Sequence, residues 1–259
     1  MSRCRICAAP LGRGLEPGAV VCERRACRWR DALQRTAARR RARRAAVARA
    51  ALTALERAAE RLRLNHPRPL AVTVVPANTR RLAPLPAQRR RAFRAHLLEQ
   101  IGEAARPGGR GSRREPISIE APPPRLAAGC ATCRGHCCGR GGEHAFIDFA
   151  TIRRYTARTG ISDAPAIARA FLRHLPALSY RGSCVYHTAT GCSLPRAMRG
   201  DVCNRFYCGP LLEQWAALTR PGGSTTALAA ADAQTLVRLA IVDEQGTVQP
   251  VPMDRSAAR

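Results

Sequence analysis

The sequence predicts a mainly α-helical protein with small irregular modules held together by metal ions, and three observations support this fold class. Aromatic residues make up only 4% of the 259 residues, and alanine, which buries little area, supplies much of the 46% apolar content. Twelve cysteines are available as staples for so small a core. Residues 31–66 contain no glycine or proline, which is typical of one long helix.

The first segment, residues 1–30, predicts a zinc-ribbon-like module. Its cysteines form two short pairs, Cys4-x2-Cys7 and Cys22-x4-Cys27, and the loop between the pairs contains three glycines and Pro17. Two thiolate pairs joined by a turn-rich loop suit the tetrahedral coordination of one zinc ion. The alternative is two unrelated thiol pairs. We expect all four cysteines to bind one structural zinc ion.

The Arg-rich helix predicted at 31–66 follows. Leu52, Leu55, Ala59 and Leu62 recur at steps of three and four, so they predict a thin apolar seam. Upstream, the stretch RTAARRRARRAA places arginine on every face, and residues 35–50 are therefore expected to be exposed. The net charge of +26 predicts nonspecific binding to nucleic acid or another polyanion. A lysine-free composition rich in arginine and alanine is also typical of GC-rich coding.

Residues 67–128 predict a small α/β segment and a linker. A strand is expected over 70–75, and a glycine-rich linker and a second strand over 106–120. Between them, residues 86–105 predict an amphipathic helix, whose apolar side is formed by Phe93, Leu97, Leu98 and Ile101.

Residues 211–259 predict a C-terminal helix and a hairpin. The stretch from 210 to 220 is expected to form a short helix, and the alanine-rich run after residue 226 a second one. Two apolar runs around Glu244-Gln245-Gly246 predict the hairpin.

Residues 129–210 predict a metal-binding domain built by the other eight cysteines. Their order is Cys130-x2-Cys133-x3-Cys137-Cys138, then 45 residues, then Cys184-x7-Cys192-x10-Cys203-x4-Cys208. Where thiols stay reduced, such short spacing favours metal ligation over disulfides. Four thiolates complete one zinc site or one iron–sulfur cluster, so eight can fill two sites, or one site with further thiols around it.

The adjacent pair Cys137 and Cys138 limits how these thiols can be used. Neighbouring side chains diverge in both helices and strands, so we expect the two sulfurs to face two sites, or one site and its surroundings. His136 is either a further ligand or a hydrogen-bonding residue. The spacing of Cys130, Cys133, Cys137 and Cys138 is closer to that of ferredoxin-like cysteine runs, so it favours an iron–sulfur cluster. Zinc is the alternative. Two short helices, at 146–160 and 163–175 with Asp163 as N-cap of the second, are expected beside this centre.

The cysteine-rich segment resembles the YkgJ-type cysteine-cluster family in two stretches, GCATCRGHCC (129–138) and GSCVYHTATGCSLPRAMRGDVCNRFYC (182–208). That family carries a C-x2-C-x3-C-C signature, a G-x-C element, a second cysteine, an R-P-x-x-C-R-x-F stretch and a final cysteine. Gly200 and Asn204 replace the family's proline and second arginine here. The resemblance implies a zinc- or iron-chelating centre. A related cluster occurs in the flagellin lysine methylase FliB.

The sequence therefore predicts a metal-binding protein of the cysteine-cluster type, with a redox or maturation role. One alternative is a nucleic-acid-associated protein that uses the zinc ribbon and the Arg-rich helix. Another is a cluster-dependent enzyme such as a protein methylase, although no dinucleotide-binding motif, P-loop or Ser/His/Asp constellation occurs. The N-terminus has no secretory core, and no apolar run reaches the about 20 residues of a membrane span, so we expect a cytoplasmic location and no membrane contact. The sequence does not indicate a protein partner.

Overall fold

A computed structural model describes residues 3–11, 20–62, 71–106, 121–220 and 224–253. About half of these residues lie in helices, and the described part also contains three small sheets, so "mainly α" holds only roughly. The predicted turns at 12–19, most of the predicted linker and the predicted strand at 116–120 lie outside the described residues.

The helices vary greatly in length. They are α1 (Arg25–Leu62), α2 (Ala87–Ala105), α3 (Pro124–Cys133), α4 (Phe149–Thr159), α5 (Ala164–Leu172), α6 (Asp201–Arg205), α7 (Gly209–Glu213) and α8 (Trp215–Thr219), with 3-10 turns at His136–Arg140 and Arg196–Met198. The strands are β1 (Val72–Pro76), β2 (Leu82–Pro84), β3 (Leu178–Tyr180), β4 (His187–Thr188), β5 (Gly191–Cys192), β6 (Thr226–Asp232), β7 (Thr235–Val242) and β8 (Val248–Val251). Among the helices of the described ranges, none has the length and apolarity to cross a bilayer.

The largest sheet joins distant parts of the chain in the order β1-β6-β7-β8. β1 runs parallel to β6, with Val72 opposite Ala227, whereas β6, β7 and β8 are antiparallel neighbours. The turn between β7 and β8 lies where the hairpin was predicted. Since β1 and β6 pair, segments 67–128 and 211–259 contribute to one sheet.

The alanine-rich run after residue 226 is a strand, so the predicted second helix there is wrong. β6 is the inner strand between β1 and β7, and Ala227, Leu228, Ala229 and Ala230 are all 0% exposed. Ala227 and Ala229 pack toward α1, while Leu228 contacts a residue of α3 on the opposite face. Small side chains let both helices approach the sheet, and this packing outweighs the helix propensity of alanine.

Helix α1 lies on this sheet through a seam that differs from the predicted one. Val47, Ala51, Leu55 and Ala58 are buried against it, whereas Leu52 is 41% exposed. The side chains of residues 59–62 lie outside the described part. Residues 35–43 are exposed as expected, but Val47 is only 1% exposed, so the predicted exposure to residue 50 is wrong.

A second core lies between α2, α4, α5 and the chain around Cys184. Phe93, Leu97 and Ile101 of α2 are buried there as predicted, but Leu98 is 46% exposed. The Phe93 ring meets Tyr186 edge to face, with centroids 5.2 Å apart. Both predicted short helices are present, and the Asp163 carboxylate accepts a hydrogen bond from the Ala166 N–H at 2.8 Å, which confirms the predicted N-cap.

Candidate metal centres

The four N-terminal cysteines converge on one point. The sulfurs of Cys4, Cys7, Cys22 and Cys27 all lie within 4.8 Å of one another, and those of Cys7 and Cys22 are 3.8 Å apart. Zn–S bonds of about 2.3 Å in a tetrahedron separate the sulfurs by about 3.8 Å. The predicted group can therefore hold a metal ion.

Short-range hydrogen bonds shape this site. The Cys4 N–H donates to the Ala9 carbonyl and the Ala8 N–H to the Cys4 carbonyl, both at 2.8 Å, and this closes a tight turn around the first pair. Cys27 lies in the first turn of α1. Within the described residues the module is therefore a turn joined to a helix, and its second cysteine pair forms no ribbon hairpin.

A buried carboxylate fixes the turn against the helix. Asp31 lies one turn after Cys27 and is 1% exposed. It accepts a hydrogen bond from Arg5 Nε at 2.6 Å and another from Arg35. Burial raises the pKa of Asp31, but the two guanidinium groups outweigh it and the net shift is downward. Because Arg5 belongs to the first turn and Asp31 to α1, this contact sets the distance between the two cysteine pairs.

The pKa values of Cys4 and Cys27 are shifted in opposite directions. The backbone N–H of Cys22 is the main cause that lowers the pKa of Cys4 to about 6. Burial, followed by the sulfurs of Cys7 and Cys22, raises the pKa of Cys27 to about 12. Mutual repulsion opposes ionisation of all four thiols together, and a bound cation removes that cost.

The first run of the eight-cysteine set surrounds a reversal of the chain. Cys130 and Cys133 lie in the last turn of α3, and Cys137 and Cys138 lie in the following 3-10 turn. Arg134 and Gly135 between them have φ values of 56° and 67°. An added Cβ at Gly135 would lie 3.1 Å from the Cys138 sulfur and 2.6 Å from His187 Nε2, so a side chain does not fit there.

The four distant cysteines return to this reversal. Cys184 precedes β4, Cys192 lies on β5, Cys203 lies in α6, and Cys208 is the N-cap of α7. The Cys184 N–H donates to the Cys138 carbonyl at 3.0 Å, which joins the second group to the first. All twelve cysteines are described and free of disulfides.

The eight sulfurs do not converge on one point as the N-terminal four do. Among the described residues, only the N-terminal group has three or more ligand atoms that all lie within 4.8 Å of one another. Joint metal binding by the eight cysteines therefore stays a prediction.

A backbone N–H group points at one sulfur of this set, since the His136 N–H donates to the Cys133 sulfur at 3.3 Å. Burial raises the pKa of Cys184 and of Cys192, and the N–H groups of Tyr186 and Leu194 act against that rise. The N–H groups of Cys7 and Ile6 likewise lower the pKa of Cys4 in the N-terminal group. Such bonds stabilise thiolates and orient them in metal sites.

The nearby histidines serve as hydrogen-bonding residues. His136 Nδ1 lies 3.0 Å from the Ala77 carbonyl oxygen. His187 is held between Ser183 Oγ at 2.7 Å and the Arg134 carbonyl at 3.0 Å. Burial lowers the pKa of His187 to about 4, so its ring is neutral.

Arg238 supports the first cysteine run and was not singled out from the sequence. Its guanidinium, on β7, donates to the carbonyl oxygens of Thr132 at 2.8 Å and of Asn78 and Cys133 at 3.1 Å. These bonds attach the end of α3 to the main sheet. Arg238 lies more than 100 residues from Cys133 and resembles many other arginines in the chain, so no local signal identifies it.

Comparison with known proteins adds no family. No family model, curated protein or solved structure matches the chain. The class of protein is therefore argued from the two cysteine sets themselves.

Proposed function

We propose that this protein is a metal-binding protein with one structural zinc ion at its N-terminus and a separate thiolate-bound centre at its eight-cysteine set. The convergence of the four N-terminal sulfurs is the observation that carries the proposal. Four thiolates in two closely spaced pairs form a closed site, which is typical of structural zinc.

The eight-cysteine set is proposed to hold iron–sulfur chemistry, with zinc as the alternative. The His136 N–H that donates to the Cys133 sulfur supports a metal–thiolate centre, as does the resemblance of residues 129–208 to the YkgJ-type family. The spacing of the first run, which is closer to ferredoxin-like cysteine runs, favours a cluster over zinc.

A redox or maturation role in the cytoplasm fits such a centre. Cys130, Cys137 and Cys203 are exposed, so the centre lies near the surface, where a partner protein can approach it. Exposure and hydrogen bonds to sulfur are two factors that set the potential of an iron–sulfur cluster.

Metal and sulfide analysis of protein purified without oxygen tests both parts of the proposal. We expect about one zinc ion per chain from the N-terminal group. We also expect iron with acid-labile sulfide, and a brown colour, from the eight-cysteine set. Additional zinc without sulfide would select the zinc alternative. No metal beyond one zinc ion would overturn the second centre, and no zinc would overturn the first.

The exposed part of α1 supports a second candidate function, which is nonspecific binding to a polyanion. Residues 32–43 are all exposed, and Arg39, Arg40, Arg41 and Arg43 lie among them. Arginines that neutralise phosphates release counterions, and this gives binding energy that falls steeply as salt rises.

Replacing Arg39, Arg40 and Arg41 by alanine is expected to weaken nucleic-acid binding and flatten its salt dependence. Each lost phosphate contact reduces the slope of log K against log salt by about 0.9. Alanine preserves the helix. The matched control replaces three exposed arginines elsewhere, Arg91, Arg94 and Arg158. Equal slopes for the two triple variants, measured by fluorescence anisotropy, would leave only an effect of net charge.

A further inference from the structure

The eight cysteines divide between two packing environments. Cys133 and Cys208 contact a small core that also contains Leu126 and Leu211. Cys138, Cys184 and Cys192 belong instead to the core of α2, α4 and α5. The division does not follow the order of the cysteines in the chain, because the last cysteine joins the first run.

Helices α3 and α7 bring the first environment together. Cys130 and Cys133 are three residues apart on α3 and thus share one face. Cys208 caps α7, whose Leu211 packs so closely that a Cβ added at Gly129 would lie 2.6 Å from its methyl carbon. Tyr207, the residue that precedes Cys208, packs against the same small core as Cys133.

Backbone pairing brings the second environment together. The Cys138 carbonyl accepts the Cys184 N–H at 3.0 Å. The pairing of β4 with β5 then places His187 opposite Cys192. Arg199 Nη2 donates to the Cys192 carbonyl at 3.3 Å, just before α6 carries Cys203.

Cys137 and Cys138 lie where the two environments meet. Cys138 packs against the core of α2, α4 and α5, and Cys137 is the residue before it in the 3-10 turn. A pair of adjacent residues whose side chains diverge can serve one site each.

We infer that the eight cysteines form two neighbouring four-thiolate metal sites. The first site, called the α3 site, consists of Cys130, Cys133, Cys137 and Cys208. The second, called the β4–β5 site, consists of Cys138, Cys184, Cys192 and Cys203. The inference rests on the proposed function and adds the number and membership of the sites. Each site takes a zinc ion or an iron–sulfur cluster, since four thiolates complete either. Rotation about χ1 moves a cysteine sulfur by about 3 Å, which is enough to tighten either set without moving its backbone.

Serine variants test the membership through metal content. Cys208 and Cys192 form a matched pair because both are half-buried and each belongs to a different site. Cys208→Ser and Cys192→Ser should each lose about half of the metal that the wild type binds beyond its N-terminal zinc.

Double variants separate two sites from one. Cys208→Ser/Cys192→Ser crosses the sites and should lose all of this metal. Cys208→Ser/Cys130→Ser lies within the α3 site and should lose no more than Cys208→Ser alone. Loss of all the metal in either single variant, with the fold intact by circular dichroism, would overturn the division into two sites. So would complete loss in the double variant confined to the α3 site.

A measurement on the wild type covers the case in which a variant fails to fold. Cadmium-113 loaded into reduced, metal-free protein gives one NMR resonance for each distinct four-sulfur site. We expect three resonances, one from the N-terminal site and two from the eight cysteines. Two resonances would overturn the division while preserving the proposed centre, and a single resonance would overturn the centre as well.

Discussion

Replacing Cys7 by serine is expected to remove the N-terminal zinc ion and the order of the turn that carries Cys4 and Cys7. Cys7 is exposed, so serine disturbs little packing there and the effect reports on coordination. Loss of a ligand should weaken zinc binding by more than about 100-fold, since changing even an outer-shell partner costs 10- to 100-fold. Zinc content and the rate of proteolysis at residues 3–11 measure the two consequences.

The control for this variant is Cys203→Ser, which changes another exposed cysteine. It should leave the N-terminal zinc and the protection of residues 3–11 unchanged. If Cys7→Ser retains its zinc at the wild-type affinity, three thiolates suffice and the proposed closed site is wrong. If zinc is lost but protection stays, the contact of Asp31 with Arg5 holds the turn without metal.

The N-terminal site could be predicted from sequence because its geometry is set mainly by short spacings. Cys4 and Cys7 lie in one turn. Cys27 lies at the start of α1, which begins at Arg25, before the helix predicted from residue 31. The ion pair that joins the two parts could not be predicted in the same way. Asp31 and Arg5 are 26 residues apart, and the chain contains many equivalent arginines.

The strands were harder to predict than the helices because pairing is a long-range property. The run from Thr226 to Asp232 has a helical composition, and only its position between β1 and β7 makes it a strand. The buried face of α1 was predicted wrongly for a related reason. Its steps of three and four were found, but the sheet selects the face with Val47 and Ala51 rather than Leu52.

The arrangement of the eight-cysteine set could be predicted only in part. The spacing identifies the thiols, and the adjacent Cys137 and Cys138 already argue for two faces. The spacing does not show that Cys208 lies beside α3, because this depends on how α7 packs against Gly129. Which thiols share a site is thus a result of tertiary packing.

The core that packs around the proposed β4–β5 site can be tested with two substitutions in α2. Leu97→Ala should destabilise the protein by about 2–5 kcal/mol, because Leu97 is 0% exposed and its loss leaves a cavity. Leu98→Ala should change stability by no more than about 0.5 kcal/mol, because Leu98 is 46% exposed. Both substitutions remove the same atoms from adjacent positions of α2 and have nearly the same effect on helix propensity. The difference between them therefore reports burial alone.

Urea unfolding of the two variants, with equal metal content, measures this difference as a change in midpoint at constant slope. The sequence alone places both leucines on the apolar side of α2 and so predicts similar losses. The structure separates them, since Leu97 belongs to the core that also contains Cys184 and Cys192, whereas Leu98 does not. Equal destabilisation would mean that α2 packs in a different phase. A larger loss of unfolding free energy in Leu97→Ala than in Leu98→Ala would confirm the packing of α2. If Leu97→Ala also binds less metal than Leu98→Ala when metal is limiting, this core is linked to the thiols that it surrounds.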